Sequence, residues 1–233
     1  MSTTAVKKPR RRASRGAGDQ LRGEIVTAAK HLLADSASAD AVSIRAVADA
    51  VGVTPPSIYL HFADKDALLA AVVVDVFAEL DAAMLAAADG VDSPMARLCA
   101  YGNAYVQFAV EHPEHYRIAA MDPCPRTDQE ALDEVLTDAA FTHMREAVTA
   151  CIEAGYFAGG DATLLTLDLW TAAHGLASLM IAKPYLPWGD RDAVANRVLR
   201  AAALGHAAIS LVGTDPDADD VAAWLTEQRA TGS

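Results

Sequence analysis

The sequence contains few cysteines and few aromatic residues. Its three cysteines, at positions 99, 124 and 151, are an odd number and form no Cys-x-x-Cys pair, which argues against a disulfide scaffold and favours a reducing compartment. Aromatic residues make up only 6% of the 233 residues, too few for a typical β-sandwich or barrel, whereas 51 alanines favour helices. Apolar residues reach 52% without a tripeptide repeat, which excludes collagen and general disorder. The composition therefore predicts a folded, all-α protein.

Long apolar stretches are also missing. No unbroken apolar run approaches the roughly 18 residues of a membrane span. The start of the chain is basic, but no apolar signal-peptide core follows it. We therefore expect a soluble protein with a cytoplasmic location.

Charge is divided unevenly along the chain. The net charge is −12, yet residues 1–65 hold 10 Lys and Arg against 6 Asp and Glu, while residues 66–233 hold 9 against 25. This asymmetry is typical of a nucleic-acid-binding end joined to an acidic remainder. Residues 1–18 are expected to form a disordered basic arm. The arm either reaches DNA through Arg10, Arg11 and Arg12, or is a solubilising extension without a partner.

Residues 19–65 are predicted to form three helices. Ser43 is expected to cap the second helix, and Gly52 to end it. Thr54 is expected to cap the third helix, which would run through Phe62. Two short helices joined by a glycine-containing turn are typical of a helix-turn-helix, whose second helix enters the major groove of DNA.

Side chains suited to DNA occupy the predicted outer side of this unit. They include hydroxyl groups and an imidazole for phosphates and base edges, prolines that can pack on a thymine methyl group, and a lysine for phosphate. Exposed Ser, Thr and Tyr residues also occur in helical pairs that are purely structural, so both interpretations stay open. The candidate DNA contacts are Ser43, Thr54, Pro55, Pro56, Ser57, Tyr59, His61 and Lys65.

Residues 20–70 resemble the N-terminal DNA-binding region of the TetR family of bacterial repressors. The resemblance is carried by Val51-Gly52-Val53-Thr54, Ser57-Ile58-Tyr59, His61-Phe62, Asp64-Lys65 and Leu68-Leu69. The chain departs from the family pattern between Ser36 and Ala41, where a glycine is often found. The resemblance implies DNA contacts at Thr54, Ser57, Tyr59, His61 and Lys65, with Ser43 and Arg45 on the side that meets phosphates.

Residues 66–233 are expected to form a helical effector-binding and dimerisation domain. Trp170 to Gly175 and Glu111 to Arg117 resemble a TetR C-terminal subclass that holds a ligand and dimerises. Aromatic and polar residues on three predicted inner faces form either plain core or a pocket for a small apolar or amphipathic effector. The candidate effector residues are Tyr101, Tyr105, Phe108, Phe141, His143, Met144, Trp170 and His174.

The helices predicted at 161–183 and 190–212 carry apolar stripes with small residues, which allow a partner helix to approach closely. Two copies would set their recognition helices one DNA turn apart, opposite a palindromic operator. The fourth predicted helix, which joins the two domains, would be the lever for induction. The candidate dimer contacts are Leu165, Leu169, Leu176, Val194, Val198, Ala201, Gly205 and Ala208.

No catalytic or metal-binding arrangement emerges. His112, Glu114 and His115 are close in sequence, but Pro113 breaks the helix between them and no complete ligand set follows. The chain lacks a Gly-x-Ser-x-Gly elbow and a phosphate loop, so neither an enzyme nor a cofactor is expected. The sequence predicts a ligand-responsive, homodimeric transcriptional repressor. The alternative is a helical ligand-sequestering or protein-interaction protein whose helix-turn-helix is structural.

Overall fold

The computed structural model describes residues 17–36, 42–121, 139–213 and 216–231, and across these ranges the chain contains helices and no strand. The predicted all-α class is therefore confirmed. Most of the basic arm, Cys124 and the start of the helix predicted from Thr127 lie outside the described residues. A π-helical turn, Arg117–Met121, continues the sixth helix. The helices are α1 (Ala17–Ser36), α2 (Ile44–Val51), α3 (Pro55–Tyr59), α4 (Lys65–Ala87), α5 (Pro94–Glu111), α6 (Pro113–Tyr116), α7 (Ala139–Glu153), α8 (Ala162–Ala182), α9 (Arg191–Val212) and α10 (Ala218–Thr231).

Several helices begin at a residue whose side chain caps the first turn, and the cap predicted at Ser43 is confirmed. The Ser43 hydroxyl accepts a hydrogen bond from the Ala46 amide at 3.1 Å, and the Asp64 carboxylate accepts one from the Ala67 amide at 2.8 Å. These oxygens satisfy amides that have no partner within the first helical turn. The caps at the starts of α5, α8 and α9 follow the same rule, with Ser93, Asp161 and Asp190 as acceptors.

Two expectations about helix ends are wrong. α1 begins at Ala17 and not at Asp19, which lies in its first turn. α3 ends at Tyr59 and not at Phe62. The chain turns there because the amides of His61 and Phe62 both donate to the Ile58 carbonyl, at 2.9 and 3.0 Å.

α4 extends from the N-terminal trio into the rest of the molecule. Its buried residues recur every four positions, so they form one stripe along the helix. α1 packs on this helix on the N-terminal side, and α5 and α7 pack on it on the C-terminal side. The stripe consists of Leu68, Val72, Val76, Leu80 and Met84.

α5 is the central helix of the C-terminal half, where it contacts α4, α7, α8 and α9. α9 approaches it closely at Gly102, since a Cβ atom added there would lie 3.1 Å from a Leu199 methyl carbon. α10 contacts α9 and has no buried residue of its own.

α8 is, by length and composition, the one helix in the described part of the chain that could cross a membrane. The sequence of α8 contains no long unbroken apolar run, because Asp168 and other polar residues interrupt it. Core helices of soluble proteins have the same length and composition. Leu169, Leu176 and Met180 of α8 are indeed buried within the chain.

Candidate nucleic-acid interface and effector site

The turn between α2 and α3 holds these helices in a fixed arrangement. Gly52 has φ +79° and ψ +35°, the left-handed conformation that glycine adopts without a steric penalty. The amides of Gly52 and Val53 both donate to the Ala48 carbonyl at 2.9 Å, which closes the end of α2. Val47 and Ile58 are fully buried and anchor the two helices in the core.

Of the twelve predicted DNA contacts, Arg10, Arg11 and Arg12 lie outside the described residues, and none of the other nine is buried. Tyr59 is 54% exposed, and Ser57, His61 and Lys65 are half-buried. Thr54 departs from its predicted capping role, because its side chain caps no amide and its hydroxyl lies 3.1 Å from the hydroxyl of Ser57. The remaining five are exposed: Ser43, Arg45, Thr54, Pro55 and Pro56.

Two further residues on this side of the molecule were not anticipated. Leu60 follows Tyr59 directly and is 84% exposed. Arg22 of α1 places its guanidinium carbon 4.9 Å from the centre of the Phe62 ring, which is a cation–π contact. The sequence signal for Leu60 is its position between two buried residues, Ile58 and Phe62, which leaves it pointing outward.

An ion cluster joins α1, the first helix of the N-terminal trio, to α4. The Lys30 ammonium group of α1 is buried and bonds to Asp75 at 2.7 Å and to Glu79, one helical turn further along α4. Burial alone would lower the pKa of Lys30, but hydrogen bonds and charge attraction from the two carboxylates outweigh it and raise the pKa. The cluster therefore holds α1 against α4 with a charged contact.

α6 makes a second connection to α1. The His115 imidazole Nε2 lies 3.1 Å from the Lys30 backbone carbonyl, and a carbonyl only accepts, so Nε2 carries the proton. The other ring nitrogen, Nδ1, is buried and has no hydrogen-bond partner among the residues that the structure describes. The neighbouring residue, Tyr116, is buried in the C-terminal half. Consecutive residues of α6 thus contact both halves of the molecule.

A partly buried polar network, which we call the tyrosine–histidine cluster, consists of Tyr105, Tyr116, Trp170, His174 and Ser178. The two tyrosine hydroxyls are 2.8 Å apart, and the Tyr116 hydroxyl lies 2.7 Å from His174 Nδ1. The Trp170 indole donates to the Tyr105 hydroxyl at 2.9 Å. Ser178 Oγ lies 3.4 Å from His174 Nε2.

One assignment of protons gives a single donor to each of these four hydrogen bonds of the tyrosine–histidine cluster. Trp170 donates to Tyr105, Tyr105 to Tyr116, and Tyr116 to His174 Nδ1, which leaves the His174 Nε2 proton for Ser178. Burial raises the pKa of both tyrosines and lowers the pKa of His174. His174 is accordingly neutral in this arrangement.

The other predicted effector residues are dispersed. The Phe141 ring contacts Trp170 edge to face, with ring centroids 6.2 Å apart. His143 instead bonds to Asp81 of α4 at 2.7 Å. Tyr101, Phe108 and Met144 are buried in the surrounding core. The sequence missed Tyr116 and Ser178, although Tyr116 lies inside the segment singled out by its resemblance.

Two spaces adjoin this region. Phe108 lines an open groove of about 450 Å³ together with Glu79 and His112. Met144 and Leu169 line a small void of about 30 Å³ between α5, α7, α8 and α9. A larger groove of about 890 Å³ runs between α5 and α9, with Asn103, Arg197 and Arg200 among its lining residues.

The predicted dimer residues fall on more than one side of the C-terminal half. Leu169 and Leu176 are buried in the core, and Leu165 is half-buried. On α9, Val198 and Ala201 are exposed, whereas Val194, Gly205 and Ala208 are half-buried. The exposed apolar side chains of α8 and α9, which we call the outer apolar face, are Leu164, Leu179, Val198, Ala201, Leu204, Ile209 and Leu211.

The segment from His112 to Arg117 forms a corner between two helices. The rings of His112 and His115 stack with centroids 5.9 Å apart, and Glu114 lies 3.7 Å from the Arg117 guanidinium. Over the described ranges, no three His, Cys, Asp or Glu residues group together as they would around a metal ion.

Comparison with known proteins assigns the class. Residues 25–72 match the family model for bacterial regulatory proteins of the tetR family, and residues 98–202 match the model for a tetracyclin repressor-like C-terminal domain. No curated protein matches the chain. The matched N-terminal segment contains the whole of α2 and α3, and the C-terminal match contains the tyrosine–histidine cluster.

Solved structures share the fold. A Rhodococcus sp. RHA1 protein of unknown function is 27% identical, with a TM-score of 0.70 over 86% of this chain and 100% of that one. A TetR family transcription regulator from Shewanella sp. PV-4 is 17% identical, with a TM-score of 0.62 over 79% and 96%. RolR in complex with resorcinol is 20% identical, with a TM-score of 0.61 over 83% and 96%.

The helix-turn-helix, the long connecting helix and the helical C-terminal half define a DNA-binding transcriptional regulator with a ligand-binding domain. The chain belongs to the TetR family.

Proposed function

We propose that the protein is a homodimeric repressor that binds a palindromic operator and releases it when a small effector binds. Residues 19–65 would form the DNA-binding domain and residues 66–233 the effector and dimerisation domain. The observation that carries the proposal is the exposed surface around α3. Pro55, Pro56 and Tyr59 are exposed there, while Ile58 beneath them is fully buried. An arrangement of this kind leaves α3 free to enter the major groove.

Dimerisation is proposed through the outer apolar face. Leu164 and Leu179 of α8 are 61% and 51% exposed, and Leu211 of α9 is 67% exposed. Several large apolar side chains exposed on two adjacent helices favour a partner surface. Gly175, whose position would leave a Cβ atom without any neighbour within 4 Å, allows a second helix to approach closely. Two α8–α9 pairs would pack as a four-helix bundle.

The effector is proposed to act on the tyrosine–histidine cluster. Its hydroxyl and imidazole groups can exchange their mutual hydrogen bonds for bonds to a ligand, and Phe141 and Trp170 supply an apolar wall. A small amphipathic molecule with hydroxyl groups would suit such a site. RolR, which shares the fold, binds the dihydroxylated aromatic compound resorcinol. The ligand of the present chain is proposed to be of similar size and polarity.

α6 would transmit the effector signal together with α4. Tyr116 belongs to the tyrosine–histidine cluster, while His115 beside it holds the Lys30 carbonyl of α1. A ligand that takes the hydrogen bond of Tyr116 therefore disturbs a contact to the DNA-binding domain only one residue away. Asp81, which bonds to His143, gives α4 its own link to the effector domain. By linkage, an effector that weakens operator binding must bind the DNA complex more weakly by the same factor.

The basic arm is proposed to add phosphate or minor-groove contacts through Arg10, Arg11 and Arg12. Removing residues 1–16 should then weaken binding and make it less sensitive to salt, because fewer counterions are released. An unchanged salt slope would assign the arm a solubilising role.

Selection of bound sequences from random DNA tests the main proposal. The full-length protein should enrich a palindrome whose half-sites lie about one helical turn apart, 10–10.5 base pairs from centre to centre. Light scattering should give the mass of a dimer. Tyr59→Ala should weaken binding to the selected site without changing the dimer mass. Leu85→Ala, which changes an exposed residue at the far end of α4, should leave both the DNA affinity and the mass unchanged. Failure to enrich any sequence would mean that the helix-turn-helix is structural.

A further inference from the structure

We propose, on the basis of the operator binding proposed above, that Leu60 selects thymine at one position of each half-site by packing against its C5 methyl group. Leu60 directly follows the last residue of α3 and is 84% exposed, more than any other large apolar side chain in the described ranges. The side chain contributes little to the core, in contrast to Ile58 and Phe62 on either side of it. Its location within the proposed DNA surface therefore calls for a contact outside the chain.

The chemistry around Leu60 favours an apolar base contact. Pro55 and Pro56, in the first turn of α3, are exposed and have neither a side-chain donor nor a backbone N–H. The hydroxyls of Thr54 and Ser57 lie 3.1 Å apart and can satisfy each other. The first turn of α3 therefore offers few free hydrogen-bond donors for reading bases, and the Tyr59 hydroxyl and the His61 imidazole are the polar groups beside Leu60.

Thymine has a feature in the major groove that such a surface can recognise. Its C5 methyl group is the apolar element in the pattern that base pairs present there. Pro56 lies four residues before Leu60, so the two occupy neighbouring positions on the same side of the recognition element. Both side chains are exposed, so the two positions would together present apolar surface to a methyl group in the groove. Cytosine at the same position would offer no methyl group to this patch.

Deoxyuridine substitution isolates this contact. Deoxyuridine differs from thymidine only by the missing methyl group and keeps the same base pairing. Each thymine of the selected half-site is replaced in turn, symmetrically in both half-sites, and the dissociation constant is measured by fluorescence anisotropy at fixed salt. The wild-type protein should lose about fourfold in affinity per half-site at one position, the value expected for one buried methyl group.

The Leu60→Ala variant completes a double-mutant cycle. Its affinity for the thymine operator should be lower than that of the wild type. It should bind the thymine operator and the operator with deoxyuridine at the sensitive position with equal affinity. Leu85→Ala removes an equally apolar, exposed side chain elsewhere and should retain the wild-type preference. Circular dichroism of Leu60→Ala should match the wild type, since the side chain is outside the core.

Two outcomes would overturn the assignment of Leu60. One is a Leu60→Ala variant that keeps the full preference for thymine over deoxyuridine at every position. The other is a wild-type protein that tolerates deoxyuridine throughout the half-site. Both outcomes differ from failure of the proposed function. In that case no operator would be selected, and there would be no protein–DNA complex in which to measure the cycle.

Discussion

Replacing Lys30 with methionine tests the ion cluster between α1 and α4. Methionine retains the length and the apolar stem of the side chain but removes the ammonium group that bonds to Asp75 and Glu79. The Lys30 side chain is 10% exposed, whereas the two carboxylates are 47% and 51% exposed. The variant therefore removes a buried charge and leaves two like charges half in water.

The magnitude lies between two limits. Breaking a fully buried ion pair costs about 3–5 kcal/mol because the remaining charge is trapped without a partner, whereas an exposed pair contributes about 0–1 kcal/mol. Water reaches both Asp75 and Glu79, but these now repel each other one helical turn apart. We expect a loss of about 1–2 kcal/mol. For a chain of this size, the melting temperature should fall by about 2–8 °C.

Urea denaturation at pH 7 gives the free energy of unfolding. The second arm of the experiment places Lys30→Met in a Glu79→Gln background, where the remaining like-charge repulsion is gone, so the loss should be smaller. Lys65→Met is the control, because Lys65 begins α4 outside the cluster and its removal should change stability by less than about 0.5 kcal/mol. Equal stability of Lys30→Met and the wild type would refute the reasoning, as would an identical loss in both backgrounds.

Three other predictions concern the turn, the tyrosine–histidine cluster and the outer apolar face. Gly52→Ala should cost about 1–2 kcal/mol, because alanine is strained at the positive φ of this residue, whereas Gly23→Ala inside α1 should add about 1 kcal/mol; urea denaturation measures both. The free energy of unfolding should fall as the pH is lowered below about 6.5, because the pKa of His174 is lower in the folded protein and the unfolded chain therefore binds a proton first. In His174→Asn this fall in the free energy of unfolding should be smaller. Leu179→Glu should give monomers by light scattering, because it places a charge on the outer apolar face.

Each of these predictions has an outcome that contradicts it. A Gly52→Ala variant as stable as Gly23→Ala would exclude strain at the turn. A parallel pH profile for His174→Asn and the wild type would assign the loss of stability to other groups. A dimeric Leu179→Glu variant would place the interface elsewhere, and Leu85→Ala, exposed on α4, controls for general effects of surface substitution.

The helix-turn-helix could be predicted because its signals are local. Ser43 bonds to an amide three residues away, and the positive φ of Gly52 depends on its own backbone. The end of α3 could not be predicted in the same way. Nothing between Tyr59 and Phe62 breaks a helix, and the local sequence does not reveal that the amides of His61 and Phe62 both donate to the Ile58 carbonyl.

The buried face of α8 could not be predicted from the sequence. Leucines occur at 164, 165, 167, 169, 176 and 179, so apolar side chains surround much of the helix. Periodicity alone cannot say which of them α5 covers, because several faces are apolar enough. In the structure Leu169 and Leu176 pack inward, while Leu164 and Leu179 stay exposed. The predicted dimer list included Leu169 and Leu176 from the inward set and omitted the exposed Leu164 and Leu179.

The tyrosine–histidine cluster was only partly visible in the sequence for a related reason. Tyr105 and Tyr116 are on helices separated by a corner, and His174 lies 58 residues beyond Tyr116. Their hydrogen bonds arise from the packing of α5, α6 and α8. The resemblance of the Glu111–Arg117 segment pointed to the correct part of the chain but not to the partner of Tyr116.

The placement of polar contacts explains why α4 and α6 are suited to carry a signal. The core between the helices is mostly apolar, and apolar packing tolerates small shifts without a sharp change in energy. The contacts from α4 and α6 to other elements include directional hydrogen bonds and ion pairs, namely those of Lys30, Asp81, His115 and Tyr116. Such bonds are either made or broken over a short distance. A ligand that breaks one of them can therefore shift the molecule between two discrete arrangements, which is the physical requirement for an effector to change operator affinity.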